Sequence, residues 1–167
     1  MDWAAPLSAI AGALAGIVAT YFVDRGRLKA TRETESQQIL REAFVSYLSH
    51  LARASERMRE VAGRDHATPA DRRQAIRAAW TEIGLYEQRF ALTMLGPERV
   101  IALGIDAFRK VRIMRDVLED GGSVADPEFK DAQRAYFAAV EAAANAMREE
   151  LGGEPVNFPG LNGFVTP

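Results

Sequence analysis

The feature that most constrains this chain is an uncharged run near its amino terminus, from Trp3 to Val23. About twenty apolar residues, each adding 1.5 Å to a helix, cross a hydrocarbon layer of about 30 Å, so the run predicts a transmembrane helix. Pro6 is compatible with that helix because it lies in the first turn. The alternative is a hydrophobic hairpin partner or a core helix, since Ala and Gly make up much of the run.

The charges beside this run predict its orientation. Only Met1 and Asp2 precede it, whereas basic residues crowd the stretch that follows. These basic residues are Arg25, Arg27, Lys29 and Arg32. The positive-inside rule then places the following domain in the cytoplasm and the amino terminus outside. Because the basic residues come after the apolar run, we predict an uncleaved anchor of the inner (plasma) membrane and not a signal peptide.

Two further predictions concern contacts of the anchor. The basic residues Arg25, Arg27, Lys29 and Arg32 are candidate contacts for anionic lipid, and the alternative is that they only set the topology. Within the span, small residues recur every four positions, at Ser8, Gly12, Gly16 and Thr20. Such a stripe allows two helices to approach closely and predicts self-association of the span. The alternative is that the stripe faces lipid.

Composition excludes several classes of function. The chain has 167 residues, so about 140 follow the anchor, enough for one domain with a sizeable core. Its net charge is −2 with acids and bases interspersed, which does not indicate a nucleic-acid-binding protein. The absence of cysteine excludes disulfides, thiolate zinc sites and a cysteine nucleophile. The preference for Arg over Lys and the abundance of Ala indicate a GC-rich bacterial genome.

Beyond the anchor, the pattern is helical throughout. Residues 24–38 are polar on every face and predict a juxtamembrane stalk. Residues 39–151 carry apolar side chains at alternating spacings of four and three, which predict four helices packed as in a bundle or coiled coil. We therefore predict an all-α protein with a single transmembrane helix and an up-down-up-down four-helix bundle.

The limits of the bundle helices follow from capping and stop signals. The first ends at Gly63, and the second begins at a capping box, Thr68 to Asp71, and continues through Gly84 to Leu95. Within this second helix, the residues expected to face the core are Ile76, Trp80, Ile83, Phe90 and Met94. Four more residues are expected to widen this apolar face: Leu85, Tyr86, Leu92 and Leu95. Gly84 is expected to weaken the helix. In the helix that follows, the same spacing falls on Val100, Gly104, Ala107, Val111, Met114 and Leu118. The third begins after a Gly-Pro break and stops at the segment 120–123, and the fourth is capped by Asp126 and ends at Leu151.

The tail after the last helix is rich in Gly and Pro and carries four apolar side chains. They are Phe158, Leu161, Phe164 and Val165. An up-down-up-down order returns Leu151 to the membrane-proximal end, so these side chains are expected within reach of the lipid interface or of a membrane partner. The Gly and Pro content instead favours a flexible tail over residues 152–167, which is the interpretation we prefer.

A search for catalytic or metal-binding patterns finds none. His50 and His66 belong to no Glu-x-x-His motif and are expected to be solvated, and no phosphate-binding loop or nucleophile elbow is present. We predict no enzyme activity, no metal and no cofactor. Two basic runs, Arg109 to Arg115 and Arg72 to Arg77, are either solvated helix faces or contacts for an anionic partner.

The layout also carries a resemblance. An Ala- and Gly-rich span is followed at once by Asp24 and Arg25, then by a basic stalk, the aromatic helix Ala43–Ser55 and the break Leu95–Val100. This order resembles uncharacterised small single-span membrane proteins of high-GC bacteria. The resemblance implies a membrane anchor and a helical domain, and it implies no activity or functional residues.

These observations favour a membrane-anchored helical bundle that acts as an interaction module: a scaffold, adaptor or regulator. Its partners would be membrane lipid and either an unidentified protein or a second copy of the chain. One alternative is a sensor bundle that binds a small molecule between its helices. Another is a homo-oligomer of the helical domain with a structural role.

Overall fold

The computed structural model describes residues 35–157. The predicted span 3–23, the stalk residues up to 34 and the tail from residue 158 lie outside the described residues. The predicted contacts of the anchor also lie outside them: Ser8, Gly12, Gly16, Thr20, Arg25, Arg27, Lys29 and Arg32. The chain divides into two units, Met1–Ile39 and Leu40–Pro167. Residues 35–39 of the first unit are helical and exposed, and the second unit holds the bundle.

Helices account for most of the described residues. Helix α1 covers residues 35–62, and the others are α2 (Pro69–Glu82), α3 (Leu85–Leu95), α4 (Glu98–Glu119) and α5 (Pro127–Glu150). No strand occurs within residues 35–157, so the prediction of an all-α protein is confirmed. A search of these same residues finds no helix with both the length and the apolar character needed to cross a bilayer.

The helix ends follow local sequence signals. The Thr68 side chain accepts a hydrogen bond from the backbone N–H of Asp71 at 3.1 Å, and Pro69 occupies the first turn, as the capping box predicts. Asp126 is the N-cap residue of α5, as predicted, but its side chain makes no capping bond to the helix. Its carboxylate instead accepts the backbone N–H of Ser123 at 2.7 Å and closes the loop before the helix.

The predicted second bundle helix is not continuous, and this prediction was wrong. Helix α2 ends at Glu82, and Gly84 takes a left-handed conformation with φ of 68° before α3 begins at Leu85. Side chains other than Gly disfavour this region because Cβ meets the following carbonyl. The glycine therefore breaks the helix, where sequence reasoning had only expected it to weaken one.

The core is built from the predicted apolar seams. In α1 the seam from Phe44 to Val61 is buried, and in α4 the whole predicted seam is buried. The buried α4 residues of that seam are Val100, Gly104, Ala107, Val111, Met114 and Leu118. In α5, Phe129, Tyr136 and Met147 are buried. The spacing of four and three therefore identifies the inner face of these helices correctly.

Contacts between helix ends give the directions of neighbouring helices. Arg99 near the start of α4 pairs with Glu149 at the end of α5. Arg72 near the start of α2 donates to the Gly122 carbonyl, just after the end of α4, at 2.5 Å. Helix α4 therefore runs antiparallel to both α2 and α5. Among helices α2 to α5, the pair α4 and α5 packs most extensively.

Candidate interaction surface

The most exposed apolar side chains of the bundle lie on α3. Tyr86, Phe90 and Met94 follow one another at a spacing of four, so they share one side of the helix. Their exposed fractions are 40% for Tyr86, 63% for Phe90 and 82% for Met94. We refer to these three side chains as the α3 surface. A contiguous apolar row of this kind is a recognised mark of a protein interaction site.

This exposure contradicts the prediction that Phe90 and Met94 face the core. The prediction assumed that α2 continues through Gly84 as one helix, so that the same side would face the core before and after Gly84. Because the left-handed glycine interrupts the helix, α3 starts with a new phase and buries Leu85 and Leu92, which lie seven residues apart and so share a side. Of the other residues predicted to face the core, Ile76 and Trp80 are buried and Ile83 is half-buried.

An aromatic cluster supports the α3 surface from beneath. The Tyr86 ring lies edge-on to Trp80 of α2 and to Phe108 of α4, with centroid separations of 6.1 Å and 5.2 Å. Trp80 and Phe108 themselves lie 5.8 Å apart. On the side of α1, the Ser46 hydroxyl donates to the side-chain carbonyl of Gln88 at 2.8 Å. Contacts with three other helices thus fix the position of α3.

Arg89 adds a positive charge beside the apolar row. Its guanidinium carbon lies 5.4 Å from the Tyr86 ring centroid, 5.3 Å from that of Phe90 and 4.8 Å from that of Phe108. These distances fall within the range of cation–π attraction. The contacts hold the cation against the aromatic rings, so the surface combines apolar area with a fixed positive charge.

Helix α4 carries two more exposed cations after Phe108. Arg109 directly follows Phe108, which packs on Tyr86, and Arg112 lies one turn further along α4; both are exposed. Glu87, the acidic residue within α3, has its carboxylate close to Gly84 at the start of the helix.

The predicted basic runs do not form uniform surfaces. Lys110 is half-buried, and Arg115 pairs with Asp116 at 2.5 Å and with Glu119 at 3.4 Å. Arg115 also lies 4.9 Å from the Trp80 ring centroid. In the second run, the carbonyl of Gly122 binds Arg72, and Arg77 pairs with Glu119 at 2.9 Å. Of the first run, Arg109 and Arg112 are exposed.

The two histidines lie against helix carbonyls. Nδ1 of His50 lies 2.7 Å from the Ser46 carbonyl, and Nε2 of His66 lies 2.8 Å from that of Val61. Since a carbonyl only accepts, each of these nitrogens donates. Both side chains are half-buried, whereas the sequence predicted solvated ones. Residues 35–157 contain no cluster of three or more His, Asp or Glu able to hold a metal ion.

Two clefts of the bundle are lined by charged side chains of both signs. One of about 530 Å³ lies between the loop after α1 and the loop after α4, and it is lined by both Arg72 and Glu119. Another of about 590 Å³ lies beside His50 and Glu82 and likewise mixes charges of both signs. Ligand sites are typically apolar with a few convergent polar groups. Neither cleft has that arrangement.

Comparison with known proteins gives no indication of function. No family model, curated protein or solved structure matches this chain. Sequence reasoning had noted Tyr86, Phe90 and Met94 but assigned them to the core. The available signal was Gly84, because glycine in the middle of an apolar helical pattern marks a place where the phase can change.

Proposed function

We propose that this protein is a membrane-anchored interaction module whose helical domain faces the cytoplasm and binds a protein partner through the α3 surface. The observation that carries this proposal is the exposure of Phe90 and Met94 on a helix whose other side is packed in the core. Exposed aromatic and Met side chains on a rigid support are typical of protein interfaces.

The partner element that best fits this site is an amphipathic helix with acidic residues beside its apolar side. Helix α3 has 11 residues, or about 16 Å of length at 1.5 Å per residue, which matches about three turns of a second helix. The Arg89 guanidinium lies beside the apolar row, against the rings of Tyr86 and Phe90. Complementary charge at such a border raises the rate and the specificity of association.

The helix order supports the bundle part of the proposal. The loop after α1 and the loop after α4 line one cleft and so share one end of the bundle. The start of α4 and the end of α5 meet at the other end. An up-down-up-down order, with α2 and α3 together as the second leg, accounts for both contacts. The proposal of a membrane anchor is based on the apolar run 3–23 and on the charges that follow it.

Site-specific photo-crosslinking in the full-length protein, expressed in its own membranes, tests the interface. A photoreactive residue at position 94 should give one discrete protein adduct, whereas the same residue at Gln74, which is exposed on α2, should give none. Phe90→Glu should abolish the adduct because it places a charge in the interface, and Phe90→Leu should retain it. Arg89→Gln should weaken it, because it removes the cation beside the apolar row.

The outcomes separate the alternatives. An adduct that depends on Phe90 and maps to an acidic amphipathic helix supports the proposal. An adduct between two copies of the chain would instead support homo-oligomerisation as the function. Equal adducts at positions 94 and 74, or an adduct insensitive to Phe90→Glu, would rule out the α3 surface as the interface.

A further inference from the structure

Met94, the last member of the α3 surface, differs from the other described methionines in its exposure. The chain has no cysteine and five methionines, of which Met1 lies outside the described residues. Met94 is 82% exposed. The other three are at most 2% exposed, and they are Met58, Met114 and Met147. Among the described methionines, Met94 is therefore the one whose sulfur solvent reaches freely.

This exposure makes Met94 the preferred target of a peroxide. A hydroperoxide transfers one oxygen atom to the thioether sulfur, so the sulfur is oxidised to a sulfoxide and the hydroperoxide is reduced to water or an alcohol. The reaction requires direct approach to Sδ, which the core packing denies to the three buried methionines. Because the chain has no cysteine, no thiol of its own competes for the oxidant.

Oxidation of Met94 changes the α3 surface without disturbing the core. The sulfoxide is polar, whereas the thioether is apolar and flexible. In the free protein, the added oxygen of this exposed side chain is hydrated. In a complex, the same oxygen would be covered by an apolar partner and would lose its water, which is unfavourable.

The position of Met94 within the apolar row increases this effect. Phe90 precedes it by one turn and Leu95 follows it directly, and both are exposed apolar side chains. Methionine is enriched at protein interfaces, where its thioether adapts to the opposing surface. The sulfoxide would therefore place a polar group inside the apolar area that a partner covers.

We propose that Met94 is a peroxide-sensitive modification site that controls the α3 surface: the thioether form binds the partner, and the sulfoxide form releases it. This inference rests on the proposed function, because it concerns the regulation of the same surface. Methionine sulfoxide reductases convert the sulfoxide back to the thioether, so the control is reversible. A bound partner covers Met94 and therefore slows its oxidation.

Peptide mapping by mass spectrometry tests the selectivity of the reaction. The full-length protein, purified in a mild detergent so that the partner does not cover α3, is treated with dilute hydrogen peroxide. Met94 should be oxidised roughly ten times faster, or more, than the three buried methionines. Equal rates at all four residues would overturn the proposal.

Photo-crosslinking in the native membranes tests the effect on binding. A photoreactive phenylalanine at position 90 keeps an aromatic ring there and leaves Met94 intact. Hydrogen peroxide should lower the yield of the partner adduct about fivefold or more, and a methionine sulfoxide reductase should restore it. The matched control is Met94→Leu, which is apolar and resists peroxide, so it should keep its adduct. Met94→Gln, which is polar, should lose the adduct without peroxide.

The outcomes separate this inference from the proposed function. An adduct that persists in a sample whose Met94 is oxidised would overturn the inference and leave the proposed interface in place. The inference would also fail if peroxide removed the adduct of Met94→Leu while Met94→Gln kept its own, since the loss would then arise in the partner. Absence of an adduct from untreated membranes would overturn the proposed interface and this inference with it.

Discussion

At the scale of single residues, the contact between Tyr47 and Gly104 holds α1 to α4. The Tyr47 hydroxyl donates to the Gly104 carbonyl at 2.6 Å, and both residues are buried. A Cβ on Gly104 would lie 2.5 Å from Cδ2 of Leu92 and 3.4 Å from the Tyr47 ring. The absence of a side chain therefore allows α1, α3 and α4 to meet at this point.

Gly104→Ala should consequently destabilise the bundle, by up to about 2 kcal/mol. Overpacking a buried site costs about 1–3 kcal/mol, which exceeds the gain in helix propensity of about 1 kcal/mol. Denaturation by urea, followed by circular dichroism, measures the change. Gly63→Ala is the control, since its Cβ would lie at an ordinary 3.4 Å from the Arg59 carbonyl. A stabilised Gly104→Ala variant would contradict the packing described here.

Tyr47 and Tyr136 should make the stability depend on alkaline pH. Burial raises the pKa of Tyr47 above its usual 10, with a smaller opposing effect from Arg89. Burial and the nearby Tyr47 raise the pKa of Tyr136 as well. Above pH 10 the unfolded chain releases both phenolic protons while the folded chain keeps them. The folded state then binds more protons, so the free energy of unfolding falls as the pH rises.

The expected slope is about 1.4 kcal/mol per pH unit for each tyrosine. Urea denaturation between pH 9 and pH 11.5 measures this slope, and Tyr136→Phe should reduce it by roughly half. Tyr47→Phe should reduce the slope similarly and also lower the stability at neutral pH by about 1 kcal/mol, because it removes the bond to Gly104. A slope that neither substitution changes would show that other groups cause the alkaline loss.

At the scale of elements, the junction between α2 and α3 determines which side chains are exposed. Gly84 allows the left-handed turn, and the phase of α3 after it places Phe90 and Met94 at the surface. In a continuous helix, Gly84→Ala would stabilise the protein by about 1 kcal/mol. At a φ of 68°, the same substitution should instead destabilise it by about 1 kcal/mol. A loss of stability in Gly84→Ala therefore indicates a break at Gly84, whereas a gain in stability indicates one continuous helix.

Gly84→Asn is the matched variant for this measurement. Asn tolerates the left-handed region better than Ala does, so it should lose less stability. When the three proteins are denatured in parallel, the natural chain should be the most stable, the Gly84→Asn variant intermediate and the Gly84→Ala variant the least stable. If the Gly84→Ala variant were the most stable of the three, α2 and α3 would form one helix.

The contrast between α4 and α3 shows what the sequence can predict. In α4 an uninterrupted pattern of 22 residues determines a single phase, and every residue of the predicted seam is buried. Between Pro69 and Leu95, the left-handed backbone of Gly84 changes which side of the following helix faces the core. The spacing of apolar residues does not reveal this change. The two hydrogen bonds between the Asn145 side chain and the Val156 backbone were missed for another reason: they join residues 11 positions apart, and the spacing of apolar residues carries no signal for such a contact.

At the scale of the whole molecule, the proposed function depends on the side of the membrane on which the bundle lies. In the proposal, this side follows from the four basic residues after the run 3–23, which are Arg25, Arg27, Lys29 and Arg32. The loop between α4 and α5 is a suitable reporter position, because Ser123 is exposed there and lies outside the core. Its hydroxyl accepts one hydrogen bond, from the Ala125 N–H at 3.2 Å, so replacing it should disturb the fold little.

Ser123→Cys in the full-length protein should therefore resist a membrane-impermeant maleimide in intact cells and react once the cells are permeabilised. Asp2→Cys is the opposite reporter and should react in intact cells, because the same rule places the amino terminus outside. Labelling of Ser123→Cys in intact cells, with Asp2→Cys protected, would reverse the orientation and put the α3 surface on the outer side. Labelling of both thiols in intact cells would show that the run 3–23 does not span the membrane. The α3 surface would then bind its partner without a membrane anchor.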